Sequence, residues 1–289
     1  MSMHAHIVIV PTSAVSRMKL LQLTDLHVSS VPDHSLLDTR DRLERCIRSI
    51  RSYHADADLC IITGDLADDG SAQSYGLLKE MLSELAVPVR LTIGNHDIRR
   101  NFQESFPDNP RDENGFTQFV IDMGDTRIIV LDTLAEGKIY GWLCDKRMRW
   151  LDRELGNAGG RDVYIFMHHP AFPIGLRHHQ KIGLVQSQEF IRVCTRHGNV
   201  RRIFAGHVHA ETNVRSGNLY MSICRGVSQH LLFDQLNANA TYIAHAPAYN
   251  VILADEHGEA IHFYDLMHES GVVGTSMLPP ELEWTGELA

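Results

Sequence analysis

The segment Leu59-Cys60-Ile61-Ile62-Thr63-Gly64-Asp65 decides the fold. A short apolar run halted by Gly and then a carboxylate reads as a buried strand. Open α/β sheets gather their ligands at the carboxyl ends of strands, so this strand delivers Asp65 to a place where charge can act. Residues 36–54 precede it with Leu36, Leu43, Cys46, Ile47, Ile50 and Tyr53 at helical spacing. Residues 71–85 follow it with Tyr75, Leu78, Met81, Leu82 and Leu85 in the same pattern. Apolar strands at 19–24 and 89–93 flank the two helices. This β-α-β-α-β alternation predicts a mostly parallel sheet with helices on its faces.

Further along, residues 115–120 and 127–131 predict an antiparallel pair around Gly124-Asp125, followed by a helix at 145–155 with Met148, Trp150, Leu151 and Leu155 inward. Residues 163–167 form another apolar strand, which Pro170 must stop because it has no N–H to donate. A helix at 184–197 and a strand at 200–205 complete the pattern.

The strand ends carry the chemistry. The first runs into Asp25-Leu26-His27, the third into Gly94-Asn95-His96-Asp97, and two later ones into His168-His169-Pro170 and Gly206-His207-Val208-His209. Extended backbone puts residues i and i+2 on one side, so Asp25 with His27, and His207 with His209, each converge on a point. Asn95 offers a neutral oxygen ligand. His96, adjacent to it, points elsewhere, with Asp97 placed to hold its ring in one tautomer. Read singly, each motif is ordinary: a capping Asp, a turn, a satisfied core His. Four His-bearing strand ends in one chain argue for a metal site. Carboxylate, amide and imidazole donors without thiolates suit Mn, Fe, Co or Zn and disfavour a structural zinc site.

The five blocks Asp25-x-His27, Gly64-Asp65, Gly94-Asn95-His96-Asp97, His168-His169 and Gly206-His207-x-His209 resemble, in order, those of the calcineurin-like metallophosphoesterases. Met167-His168-His169-Pro170 and Gly141-Trp142-Leu143 look closest to the bacterial cyclic-nucleotide and glycerophosphodiester phosphodiesterases of that family. The resemblance implies a four-layer α/β/β/α sandwich. It also implies two divalent ions, one on Asp25, His27 and His209, the other on Asn95, His168 and His207, with Asp65 between them. Such a pair clamps a phosphoryl group and acidifies a bridging water, whose hydroxide attacks phosphorus. His96 would contact the phosphate or protonate the leaving oxygen, and His169 would lie behind the ligands. The phosphoprotein-phosphatase branch has Arg where Asp69 stands here. A carboxylate at that position repels a monoester dianion and favours a small phosphodiester as substrate. A phosphomonoesterase acting on nucleotides or sugar phosphates is the alternative within enzymes, and a scaffold that has lost its metals the alternative outside them.

Composition sets further bounds. The 289 residues are 44% hydrophobic and 22% charged, as in an ordinary globular protein. The net charge of −9 argues against gripping long nucleic acid. No apolar run approaches the ~20 residues that span a bilayer, so no membrane partner is expected. The five cysteines lack CxxC spacing and read as reduced thiols, and nothing marks export, so the expected location is the cytoplasm. Residues 1–17 are expected to be an extension, 18–264 the catalytic domain and 265–289 a tail. Residues 223–250, through Leu231, Leu232 and Phe233, read either as a cap or homo-oligomer contact or as an internal sheet edge.

Overall fold

The computed structural model describes residues 18–31, 37–237 and 239–267. The expected N-terminal extension, most of the expected tail, and Leu36 lie outside them. In chain order the elements are β1 (Met18–Leu23), α1 (Thr39–Tyr53), β2 (Leu59–Thr63), α2 (Ala72–Leu82), β3 (Val89–Thr92) and α3 (Arg99–Ser105). Next come β4 (Phe119–Met123), β5 (Thr126–Val130), α4 (Asp145–Gly156), β6 (Asp162–Phe166), a 3-10 turn (His178–Lys181) and α5 (Ser187–His197). The chain continues through β7 (Val200–Ala205), β8 (Thr212–Ser216), β9 (Leu219–Ile223), β10 (His230–Leu231), β11 (Tyr242–Ile243), β12 (Ala248–Asp255) and β13 (Gly258–Asp265).

Two mixed sheets result. The first has the order β13-β12-β1-β2-β3, the second β4-β5-β6-β7-β9-β8. β1, β2 and β3 are parallel, as are β5, β6, β7 and β9. Side-chain alternation explains why the sheets stack. Leu20, Leu59 and Ile61 of the first sheet meet Ile128, Val130, Tyr164, Phe166 and Phe204 of the second in one core. Their neighbours Leu21, Cys60 and Ile62 face outward onto Leu43, Cys46 and Ile50 of α1 and Tyr75 and Leu78 of α2. Ile129, Val163, Ile165 and Ile203 face outward onto Met148, Leu151 and Leu155 of α4 and Phe190 and Cys194 of α5. Three cores between four layers give α/β/β/α, as the resemblance implies.

Local chemistry moves the expected boundaries. Asp38 caps α1 by accepting N–H bonds from Arg40 and Asp41, and Tyr53 at its far end is exposed. Ser71 caps α2, and Gly198, left-handed at φ 69°, ends α5. β4 begins later than expected, yet it pairs with β5 around Gly124-Asp125. β12 inserts beside β1 in antiparallel register, Leu21 opposite Val251, so the end of the 223–250 span is internal sheet. The middle of that span forms the small β10–β11 pair, with Leu232 and Phe233 exposed. Among the described residues no helix is long and apolar enough to cross a membrane.

Candidate metal centre

The loops leaving β1, β2, β3, β6 and β7 converge. Asp25 N–H donates to the Gly64 carbonyl and His27 N–H to the Asp65 carbonyl, each at 3.0 Å, tying the first two loops together. The second sheet joins through Asp25, whose carboxylate oxygens accept the His207 N–H at 3.1 and 3.0 Å. Asp25 and His27 do converge, but β1 stops at Leu23, so extended alternation is not the cause. Instead Asp25, His27, Asp65, His207 and His209 adopt left-handed backbone, with φ of 52°, 46°, 48°, 72° and 55°. Among the described residues these are the only non-glycine residues at positive φ, a conformation that costs about 1 kcal/mol or more at each. Two glycines make room for them. A Cβ on Gly94 would strike the Asp65 carboxylate and His168 Nε2, and one on Gly206 would strike Thr24 and Asp25.

Hydrogen bonds fix the imidazole tautomers. His27 Nδ1 lies 3.0 Å from Asp68 Oδ1, His168 Nδ1 2.7 Å from the Thr63 carbonyl, and His209 Nδ1 3.1 Å from the Gln229 carbonyl. Each partner is an acceptor, so each Nδ1 carries the hydrogen and each Nε2 is left for the centre. There Asp65 Oδ2 stands 3.7 Å from His27 Nε2 and 3.3 Å from His168 Nε2. Asp25 Oδ1 is 3.6 Å from His209 Nε2, and Asn95 Oδ1 is 3.2 Å from His168 Nε2. Asp25, His27, Asp65, His168 and His209 are buried, Asn95 is half-buried and Asp68 is exposed.

The electrostatics follow from the neighbours. Burial works against a charge on His168, but the Asp65 carboxylate outweighs it and pushes its pKa up to about 9. Burial alone would raise Asp65, yet His168 and His27 hold it well below the ordinary carboxylate range. At His27 burial is again outweighed, by the Asp68 bond and by Asp65 and Asp25, and the pKa rises. Burial and then the surrounding imidazoles push His207 and His169 well below the usual value. His209 is lowered by burial, which the Asp25 charge only partly offsets.

This arrangement fits divalent cations. Asp25 with His27 and His209, Asp25 with Asp65 and His168, and His168 with His169 and His207 each offer ligand atoms within 4.8 Å of one another. The Nε2 atoms of His27, His207 and His169 are buried without any hydrogen-bond partner among the described residues. A cation would satisfy such lone pairs. His169 comes closer to the centre than the resemblance implies, with its ring 4.7 Å from that of His207 and its Nδ1 2.8 Å from Thr133 Oγ1.

His96 sits at the rim, 40% exposed, its ring 4.6 Å from that of His27. It also forms a set with His27 and Asp65 that can hold a cation. The expectation that Asp97 orients it is corrected. His96 Nδ1 lies 2.9 Å from the Asp68 carbonyl and 3.6 Å from the Asp68 carboxylate. Asp97 is buried beneath the loops and accepts N–H bonds from Gly94, Leu66 and Ala67 and the Tyr75 hydroxyl. Burial and the nearby Asp65 charge raise its pKa to about 6. Sequence reasoning therefore missed Asp68, although its place three residues after Asp65 was a usable signal. Asp69 accepts the Ser71 N–H at 3.0 Å. Tyr242 of β11, with its ring 5.6 Å from that of His209, also went unread.

A family model described as calcineurin-like phosphoesterase matches residues 18–211. The chain is 34% identical over 221 residues to a probable cyclic nucleotide phosphodiesterase of Rhodopseudomonas palustris, covering 75% of this chain and 81% of that one. It is 29% identical to a probable glycerophosphodiester phosphodiesterase of Arcobacter nitrofigilis, covering 80% and 86%. Among solved structures, a dimetal phosphatase of Danio rerio shares the fold at a TM-score of 0.63 and 15% identity, over 86% of this chain and 99% of that one. The matched model takes in all five strand-end blocks, and the chain belongs to the calcineurin-like phosphoesterase family.

Proposed function

We propose that the protein hydrolyses small phosphodiesters, of the cyclic-nucleotide or glycerophosphodiester kind, using two divalent cations drawn from Mn, Fe, Co and Zn. The broader class, a metal-dependent phosphodiesterase, follows from the family and from the names of its relatives. One observation carries the two-cation reading: a single oxygen, Asp65 Oδ2, faces an imidazole nitrogen on either side, at 3.7 and 3.3 Å. Asp25, His27 and His209 would hold one cation, Asn95, His168 and His207 the other, and Asp65 both. When bound, the ions would neutralise phosphoryl charge and acidify the attacking water.

The protein's own part is positioning and proton handling. The acceptors on His27, His168 and His209 keep three Nε2 atoms aimed inward, so the rings need not turn when cations bind. The Asp25 bridge to the His207 N–H holds the loops of the two sheets at a fixed separation. His96 donates Nδ1–H to the Asp68 carbonyl, which leaves Nε2 as the ring atom available to a departing ester oxygen. A panel of bis(4-nitrophenyl) phosphate, 3′,5′-cyclic nucleotides, glycerophosphocholine and nitrophenyl phosphate, run with each metal, tests the reading. Turnover of diesters above monoesters is expected; turnover of the monoester alone would sink it. We further infer a cytoplasmic location, and a homo-oligomer formed through exposed Leu232, Phe233 and Leu236.

A further inference from the structure

Residues 170–184 follow the His168-His169 pair beyond β6 and fold back on themselves. Leu184 N–H donates to the Pro170 carbonyl at 2.9 Å and Gly141 N–H to the Gly183 carbonyl at 3.1 Å, so the base of this loop is pinned. Phe172 and Leu176 sink into the core beneath it. Of the four side chains in its 3-10 turn, His178, His179, Gln180 and Lys181, His179 is the buried one, 6% exposed. Its ring meets that of His207 edge-on, 6.4 Å between centroids. Both of its nitrogens are buried and, among the described residues, neither has a hydrogen-bond partner.

That last feature separates His179 from the other imidazoles of the centre. His27, His168, His209 and His169 each anchor Nδ1 on a neighbour, whereas His179 is held by shape alone. Two unmet nitrogens in a buried ring cost stability that a leucine would not. The cost is intelligible if a molecule entering the centre supplies the missing partner. A cation is the poorer candidate, because among the described residues His179 belongs to none of the sets whose ligand atoms lie within 4.8 Å of one another. The position suits substrate. His96 neighbours His27 in one ligand set and His179 neighbours His207 in another.

We propose that His179 contacts the substrate, donating a ring N–H to a phosphoryl or ester oxygen of the bound diester. This rests on the phosphodiesterase reading. The test compares His179→Leu and His179→Ala with the unaltered metal-loaded protein by calorimetric titration of inorganic phosphate, cation content, thermal unfolding of the metal-free form, and kcat/KM for bis(4-nitrophenyl) phosphate. Loss of one donor to an anion predicts phosphate affinity and kcat/KM both lower by ~10-fold or more. Cation content should be unchanged, and the Leu variant should unfold no earlier than the parent. Unchanged phosphate affinity in either variant overturns the proposal, and so does loss of a cation, which would make His179 a ligand. If His179→Leu does not fold, His179→Ala reads the same quantities. Absence of any diester turnover by the unaltered protein would sink the phosphodiesterase reading, while the phosphate titration would still report on His179.

Discussion

Loops from the first sheet bring Asp25, His27, Asp65 and Asn95 to the centre, whereas loops from the second bring His168, His169, His207 and His209. The first set is built of oxygen donors with one imidazole among them, the second wholly of imidazoles. Their electrostatics diverge accordingly. Beside carboxylates, His27 is raised, and so is His168, which reaches across to Asp65. Among other imidazoles, His207 and His169 are lowered far enough to stay neutral. In the metal-free protein, protons therefore compensate the carboxylates, and cations must displace them. At His207 the lone pair is free from the start.

The contrast breaks most visibly if His96, which stands on the carboxylate side, proves to be a ligand. His96→Ala is expected to keep its full cation content and lose ~10²–10⁴-fold in turnover, the range of a general acid. The loss should shrink for nitrophenolate leaving groups, which need little protonation. Metal analysis beside kinetics on a leaving-group series checks it, and a missing cation would move His96 into the ligand set.

Proton competition sharpens the contrast next. With His168 raised to about 9, cation binding below that pH must expel a proton, so affinity falls as pH falls. The expected slope approaches ~10-fold per pH unit for each proton displaced. Mn titrations across neutral pH measure it. His168→Gln should flatten the slope at the second position, while His207→Ala should weaken binding without changing it, because His207 carries no proton to lose.

The smallest effect belongs to Asp97, beneath the carboxylate side. Asp97→Asn keeps the shape but removes an acceptor facing three N–H groups and a hydroxyl. A loss of about 1–3 kcal/mol is expected, read as a drop of roughly 2–10 °C in unfolding temperature. Turnover should be lost through weakened cation binding, since Asp97 faces no substrate. A variant that unfolds at the parental temperature yet is inactive would restore Asp97 to the chemistry.

Much of this was legible in the residues. The unbroken apolar run Leu59, Cys60, Ile61 and Ile62 forecast a buried strand, and the strand-end motifs forecast which side chains would meet. What sequence could not carry was how they meet. Asp-x-His convergence arises from left-handed backbone at both residues, and periodicity holds no record of φ. For residues 223–250 the internal sheet edge stood only as one of two alternatives, because the pairing of β12 with β1 joins residues more than two hundred positions apart. His179 escaped because no spacing links it to His207; only the return of the 170–184 loop brings them together. Asp97 was misassigned because adjacency in sequence suggested contact, whereas the turn after β3 sends His96 outward and Asp97 inward.

Counting cations tests the central claim most directly. The purified protein, stripped and then saturated with Mn, should bind two ions per chain by elemental analysis. Asp25→Ala and His207→Ala should each retain about one, and Asp65→Ala close to none, because one carboxylate serves both positions. One ion in the unaltered protein at saturation, or two retained in Asp65→Ala, would contradict a shared two-cation centre.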